Sequence, residues 1–327
     1  MTSTPPIDVV LPARDPDPRL FGRALGSVLR SRGVEVRVVV VDHGSVRPIA
    51  VLAPHVEVIR VERALSFAAA LNTGVAACRH DVVARMDADD VAHPDRLLTQ
   101  ARALKDDEGL AAVACRVKII PKTTTRMRGH AWWMNSILDE ATHRRERFVD
   151  LPVCHPTLMF RRRALTDAGG YRDEIAEDYE LLLRLWSGGA RIRKVPAVHL
   201  AWRQHDDQAT RRISRDALTA LKARFLVNDY ALRDRAVVIM GAGKEGRRIT
   251  RALQAIGIEL DAFVDVDPRK IGTRVRGVSV QPPSFLAMRR RGSFVVGAVG
   301  TSGARGAVRA LWSSLGLVED EDAICVA

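Results

Sequence analysis

The sequence predicts an α/β protein in two parts: a mainly parallel sheet flanked by helices, then a smaller α/β domain. Short β-branched runs alternate with stretches whose apolar residues recur at helical spacing. The alternation pauses in a helix-like segment near residue 220 and then starts again. Acidic or glycine-rich clusters close several of the runs, where parallel sheets place their ligands.

Residues 7–11 read as a buried strand that Pro12 ends, and residues 19–30 carry Leu20, Ala24, Val28 and Leu29 at helical spacing. Residues 36–41 are a second strand, stopped at Asp42-His43-Gly44-Ser45, and 56–61 a third. A helix at 66–78 has Ser66 at its N-cap, and a fourth strand at 82–86 runs into Asp87-Ala88-Asp89-Asp90. Leu181, Leu182 and Leu185 give residues 178–186 an inward helical face. A linker helix striped by Leu218, Leu221, Phe225 and Leu226 fades near Arg235, which sets the expected domains at 1–234 and 235–327. Beyond it come a strand at 236–240, a glycine-rich turn at 241–246 and a helix at 247–256. Strands at 262–266 and 294–299, a helix at 304–315 and a last strand at 324–326 complete the pattern.

The 327 residues suffice for two domains with separate cores, and the 28% of charged residues is ordinary for a globular chain. The formal net charge of +12 comes from scattered arginines. It fixes the sign of a partner, such as a nucleotide diphosphate or a phospholipid surface. The lack of basic blocks argues against a nucleic-acid arm. Cys78, Cys115, Cys154 and Cys325 lie far apart and read as reduced core residues, as in a cytoplasmic protein. No signal-peptide pattern is visible, and the longest apolar runs fall far short of the ~20 residues of a membrane span. Any membrane is therefore expected to be met peripherally, at its inner face.

Asp87-Ala88-Asp89 behind a buried strand is the strongest single feature. Two carboxylates one residue apart can hold a divalent cation, Mn²⁺ or Mg²⁺, that bridges a diphosphate. They also suit a solvated turn. Around this pair stand Val39-Val40-Val41-Asp42-His43-Gly44-Ser45, residues 66–74, and Ala84-Arg85-Met86-Asp87-Ala88-Asp89-Asp90. Cys154-His155-Pro156-Thr157-Leu158-Met159-Phe160-Arg161 and Gly169-Gly170-Tyr171 come next, then Ala176-Glu177-Asp178-Tyr179-Glu180-Leu181 and Arg203-Gln204-His205. In order and spacing this series resembles the family 2 glycosyltransferases of GT-A fold, over about residues 7–213.

The resemblance implies inverting transfer of a sugar from a nucleotide-diphosphate donor, usually a UDP-sugar, to a hydroxyl of a glycan or lipid-linked acceptor. Cell-surface glycan or polysaccharide synthesis is the setting it implies. Asp42 then meets the donor base, Asp87 the ribose or metal, and Asp89 is the principal metal ligand. His205 completes the metal or diphosphate site, and Asp178, next to Glu177, is the catalytic base. Arg203 is a nearby cation for the leaving diphosphate. A helix N-terminus would keep Asp178 ionised, although Glu177 and Asp178 also suit plain N-terminal helix charge. His205 suits a surface position equally, and His155 an acceptor-side or structural one. Trp132 and Trp133 fit either an acceptor cleft or core packing. His43, where the family often has a second aspartate, and Leu71 before Asn72, where it often has arginine, depart from the pattern on the donor side.

Gly241-Ala242-Gly243-Lys244-Glu245-Gly246 lies between a strand and a helix, with Asp265 ending the next strand. This is the context of a dinucleotide fingerprint. Gly241, Gly243 and Gly246 would let a phosphate approach the helix N-terminus, and Asp265 could bind a ribose. The stretch from Phe263 to Gly272 resembles the small Rossmann-like domain of sugar acetyltransferases that binds a nucleotide sugar. A ligand site and a scaffold are both open here. The main rival for the whole chain is an NAD(P)-dependent oxidoreductase or nucleotide sensor built on this motif, which leaves residues 7–213 unexplained. A catalytically silent nucleotide-sugar-binding protein is the third reading.

Overall fold

The computed structural model describes residues 5–121, 124–205, 213–301 and 303–327. The chain divides into two compact units, residues 1–143 with 152–211, and residues 144–151 with 212–327.

Among the described residues, the strands of the first unit are β1 (Ile7–Ala13), β2 (Val36–His43), β3 (Val56–Val61), β4 (Val82–Arg85), β5 (Val91–Ala92), β6 (Leu110–Ile120), β7 (Met159–Arg161) and β8 (Arg191–Arg203). They form one sheet in the order β3-β2-β1-β4-β7-β6-β8-β5. The four strands from β3 to β4 are parallel, and β6 is parallel to β8. β7 and β5 join antiparallel. Val38 to Val41 are fully buried, as expected of a strand covered on both faces.

Pro12 does not end β1, which continues to Ala13 in register with Asp42. β1 pairs with β4 only as far as Val10, whose carbonyl accepts from the Met86 amide at 3.1 Å. Two residues on, Pro12 faces the same side, where β4 has already turned away, so its missing N–H costs no ladder bond. Asp42 and His43 likewise belong to β2, which runs two residues further than the sequence pattern suggested.

The helices of the first part of the chain are α1 (Pro18–Leu29), α2 (Phe67–Ala76), α3 (Arg96–Asp106), α4 (Thr125–Ser136), α5 (Glu140–Glu146), α6 (Arg162–Asp167) and α7 (Glu177–Ser187). Asp17 caps α1 by accepting from the amides of Arg19 and Leu20, and Pro18 occupies the first turn. Its inward face is Phe21, Ala24, Leu25 and Val28, so Leu20 and Leu29 lie off the expected stripe. Ser66 caps α2 through the Ala69 amide at 3.2 Å, as its sequence position indicates. In α4, Trp132 is exposed while Trp133 packs against the core.

The second unit contains α8 (Arg215–Asp229), β9 (Val237–Met240), α9 (Lys244–Ala255), β10 (Leu260–Val264), β11 (Arg274–Val275), β12 (Val278–Gln281), α10 (Phe285–Met288), β13 (Phe294–Gly297), α11 (Ala304–Ser314) and β14 (Ala323–Cys325). Its sheet order is β11-β12-β10-β9-β13-β14, parallel apart from the β11–β12 hairpin. The division at 211/212 differs from the expected boundary near 234, because α8 groups with the second unit. So does the short segment 144–151, which no sequence signal marked. Arg147 explains it: this buried guanidinium donates to Asp320 at 2.8 Å and to the Tyr230 hydroxyl at 2.9 Å, and it stacks on Phe148. Arg309 adds an ion pair with Glu146 at 2.9 Å.

Candidate active site

β4 is an apolar run that ends in a charge. Val82, Val83 and Ala84 are buried, and so is the next residue, Arg85. The chain then turns through residues 86–90 into β5. Arg96, fully buried on α3, holds this turn from behind, donating to the Arg85 carbonyl at 2.8 Å and to the Met86 sulfur at 3.3 Å. Gln100 fixes Arg96 and donates in turn to the carbonyls of Val113 and Thr157. An all-carbon core could not position the turn this way, since its carbonyls need buried donors.

Carboxylates gather on this frame. Asp87 pairs with Arg85 at 2.7 Å. Asp89 lies 3.5 Å from His205 Nε2, and burial together with the Asp87 charge pushes its pKa up. Asp90 accepts from the Arg203 amide at 2.6 Å, but its Oδ2 has no partner among the described residues. Burial and Asp87 push it well above the usual carboxylate range. Arg203 donates through Nε to the Asp89 carbonyl at 2.9 Å, so it braces the turn that carries the metal-ligand candidate.

The second pair of acids comes from the start of α7. Asn72 on α2 accepts from the Tyr171 amide at 2.8 Å and donates to the Tyr171 carbonyl at 2.7 Å, clamping the Gly169-Gly170-Tyr171 turn that leads to this helix. Asp178 stands in the first turn, its Oδ1 accepting from the Tyr179 amide at 2.7 Å. Its Oδ2 is 4.0 Å from His155 Nδ1, and His155 bonds the Tyr171 hydroxyl at 2.9 Å through Nε2. Burial and Arg85 hold His155 neutral, well below its ordinary pKa. Desolvation raises Asp178, partly offset by the Tyr179 amide and Arg85. Glu177 is pushed up to about 7 by burial and by Asp178, and Arg85 again opposes the shift. The turn after β4 and the start of α7 therefore face each other as one desolvated acidic site, with Arg85 between its two halves.

Residues 8–170 match the profile of Glycosyl transferase family 2. The chain belongs to that family. It is 29% identical over 157 residues to the amylovoran biosynthesis glycosyltransferase AmsE of Erwinia amylovora, covering 47% of this chain and 57% of that one. The UDP-Gal:alpha-D-GlcNAc-diphosphoundecaprenol beta-1,3-galactosyltransferase of Escherichia coli is 27% identical over 177 residues, 50% of this chain and 59% of that one. The chain thus spans under two thirds of the length of these curated relatives. Among solved structures, S. aureus TarS 1–349 in complex with UDP-GlcNAc superposes with a TM-score of 0.52 at 14% identity, over 68% of this chain and 67% of that one. The first unit accordingly has the GT-A fold.

The family's site residues fall differently on this chain. Asp87, Asp89, His205, Glu177 and Asp178 converge, and Arg203 braces them. Asp42 does not present an idle carboxylate for a donor base. It is fully buried, with Oδ1 accepting from the Ser45 amide and Oδ2 from the Ile49 amide and Arg60. These bonds hold it below its ordinary pKa despite burial, and they fix the loop after β2. His43 is likewise engaged, its Nε2 lying 2.8 Å from the Leu65 carbonyl. Arg85 escaped the sequence reading, although an arginine ending an otherwise apolar strand was its visible signal.

For a divalent cation, no group of three His, Cys, Asp or Glu side chains among the described residues is arranged to hold one. Asp89 and His205 nonetheless offer an oxygen and a nitrogen donor, with surplus negative charge from Asp87. That pair fits a hard cation that completes its shell with ligand oxygens. Gly241, Gly243, Gly246 and Asp265 lie together in the second unit, around the start of α9. The four cysteines are free and buried, and no described helix is long and apolar enough to cross a membrane.

Proposed function

We propose that the first unit is an inverting glycosyltransferase that moves a sugar from a nucleotide-diphosphate donor to a hydroxyl of a glycan or lipid-linked acceptor. The observation that carries this is the raised Glu177–Asp178 pair facing the Asp87–Asp89 turn. A desolvated carboxylate is a stronger base than an exposed one, and Asp178 is held at a helix N-terminus to take the acceptor's proton as its oxygen attacks the anomeric carbon. The backbone amide of Tyr179 fixes Asp178 Oδ1, leaving Oδ2 as the basic atom. Neutral His155 borders that oxygen without neutralising it. Arg85 opposes the upward shifts of Glu177, Asp178 and Asp90.

Asp89 and His205 would hold Mn²⁺ or Mg²⁺, with Asp87 beside them, and the cation would offset charge on the leaving diphosphate. A UDP-sugar is the donor we favour, since the Escherichia coli relative is named for UDP-Gal and for an acceptor on diphosphoundecaprenol. Such an acceptor would be met at a membrane surface, which a chain of net charge +12 suits. The test is release of nucleoside diphosphate from a panel of UDP- and GDP-sugars, with Mn²⁺, Mg²⁺ or chelator. Turnover of one donor that stops in chelator is expected. Full turnover in chelator would remove the metal role, and reduction of NAD⁺ without donor turnover would remove the transferase.

A further inference from the structure

A cavity of about 590 Å³ opens in the second unit, within the range of small-molecule sites. Its walls come from the carboxyl ends of β9, β10 and β13 and from α9 and α11. The strand order reverses between β10-β9 and β9-β13, and such a switch point is where open parallel sheets bind ligands. No residue of the first unit lines it.

The cavity has a polar end and an apolar end. At the polar end α9 begins at Lys244, three residues earlier than its sequence pattern indicates, inside the glycine motif. Gly243 is its N-cap and supplies no side-chain cap, so the first amides of the helix keep no side-chain acceptor. A Cβ on Gly243 would meet nothing within 4 Å, whereas one on Gly246 would strike the Gly241 carbonyl at 1.7 Å. Gly246 therefore serves helix-to-loop packing, and Gly243 leaves room for a ligand. Lys244 and Lys270 bring positive charge to the lining, and Asp265 and Asp267, which also line it, pair with Lys270 at 3.0 and 3.9 Å. Glu245 brings the opposite sign but is paired with Arg248 and, at 3.8 Å, with Arg215.

Asp265, the ribose candidate of the motif, is already engaged within the fold. Its Oδ2 accepts from the Ala242 amide at 2.8 Å and from Lys270 at 3.0 Å, and its Oδ1 from the Asp267 amide at 2.9 Å. It ties the glycine loop to the loop after β10 and steadies Lys270 at the cavity wall. At the other end the lining is Val266, Val299, Ala304, Ala307, Val308 and Leu311. Val266 is 74% exposed, which leaves its apolar side chain open to a flat ring.

We propose that this cavity is a second nucleotide site, independent of the transferase site. The phosphate sits on the amides at the start of α9 between Lys244 and Lys270, and the base lies against Val266 and Val299. The shared chemistry is a nucleoside 5′-phosphate, which a mononucleotide or one half of a dinucleotide can supply. Titration calorimetry of the full chain with ADP, UDP and NAD⁺ tests it, in wild type, Gly243→Leu and Lys270→Gln, with thermal unfolding of each protein as the folding control. Gly243→Leu, whose Cβ would meet nothing within 4 Å, puts bulk at the phosphate position, and the loss of charged hydrogen bonds should weaken one binding event about tenfold or more. Lys270→Gln should weaken the same event by a smaller factor and decides the matter if Gly243→Leu does not fold. Saturation by NAD⁺ alone that these variants weaken marks a dinucleotide site, and saturation by ADP or UDP that they weaken a mononucleotide site, whereas a UDP event that neither variant changes belongs to the transferase site. Absence of a saturable event attributable to either position, with all three ligands at millimolar concentration, overturns the proposal.

Discussion

Each unit ends its parallel strands in acidic residues, and the two clusters are held in opposite electrostatic states. In the second unit burial pushes Asp265 up, but two amides and Lys270 more than compensate, and its pKa lies below the ordinary value. Asp267 is lowered too, by Arg269. In the first unit Asp89, Asp90, Glu177 and Asp178 are all raised, because burial and mutual repulsion outweigh the partners available. A fully paired carboxylate is a brace, and its charge is already spent on the fold. Carboxylates that the fold leaves short of positive charge are held at a cost to stability, and such surplus charge is expected where a cation, proton or ligand completes the site.

Removing the missing charge's anchor should produce the largest effect. Asp89→Ala should reduce metal-supported donor turnover on the order of 10²-fold or more, with added Mn²⁺ recovering little of it. A steady-state rate near wild type would place Asp89 with the braces. The opposite class has its own test in Arg147, a buried guanidinium that pairs with Asp320 and Asp229 and bonds the Tyr230 hydroxyl. Arg147→Ala should cost about 3–5 kcal/mol in the second unit's unfolding, measured by denaturant titration.

Arg85 sharpens the contrast within the acidic site. Its charge lowers Glu177 and Asp178, so Arg85→Met should raise both. The acid limb of the pH–rate profile for transfer should move to higher pH, with activity partly regained in alkaline buffer. A loss of rate that is uniform in pH would mean that Arg85 acts on folding alone. The smallest effect concerns stability. Glu177 has a folded pKa of about 7 against an ordinary 4.5, so the folded state holds the proton through that window and stability falls as pH rises across it. Glu177→Gln escapes this fall. Its melting temperature relative to wild type should be highest above pH 7 and should show no gain from this source below about pH 4.5. A pH-independent difference would contradict the shift.

The parts legible in the sequence are those that hydrophobic period and local chemistry determine. β2, β3 and β4 follow from valine runs, α2 from Ser66, and the acidic turn from its place after a buried strand. Pro12 and the segment 144–151 were not legible, because each depends on partners distant in sequence. Pro12 is tolerated because β4 turns away, and Arg147 groups with the second unit through Tyr230, Asp320 and Asp229. The same limit explains Asp42 and Asp178. Both are aspartates at element ends, and nothing local shows that Ser45, Ile49 and Arg60 satisfy one while Arg85's charge lowers the other without offsetting its burial. Motif position names candidate carboxylates, and three-dimensional pairing sorts them.

The most direct test of that sorting is Asp178→Asn, which keeps size and removes basicity. Donor affinity by calorimetry and transfer rate by product formation are measured on the same folded protein. A base role for Asp178 requires unchanged donor affinity with transfer reduced roughly 10²–10⁴-fold. Transfer near the wild-type rate in folded Asp178→Asn would contradict it and put the base elsewhere.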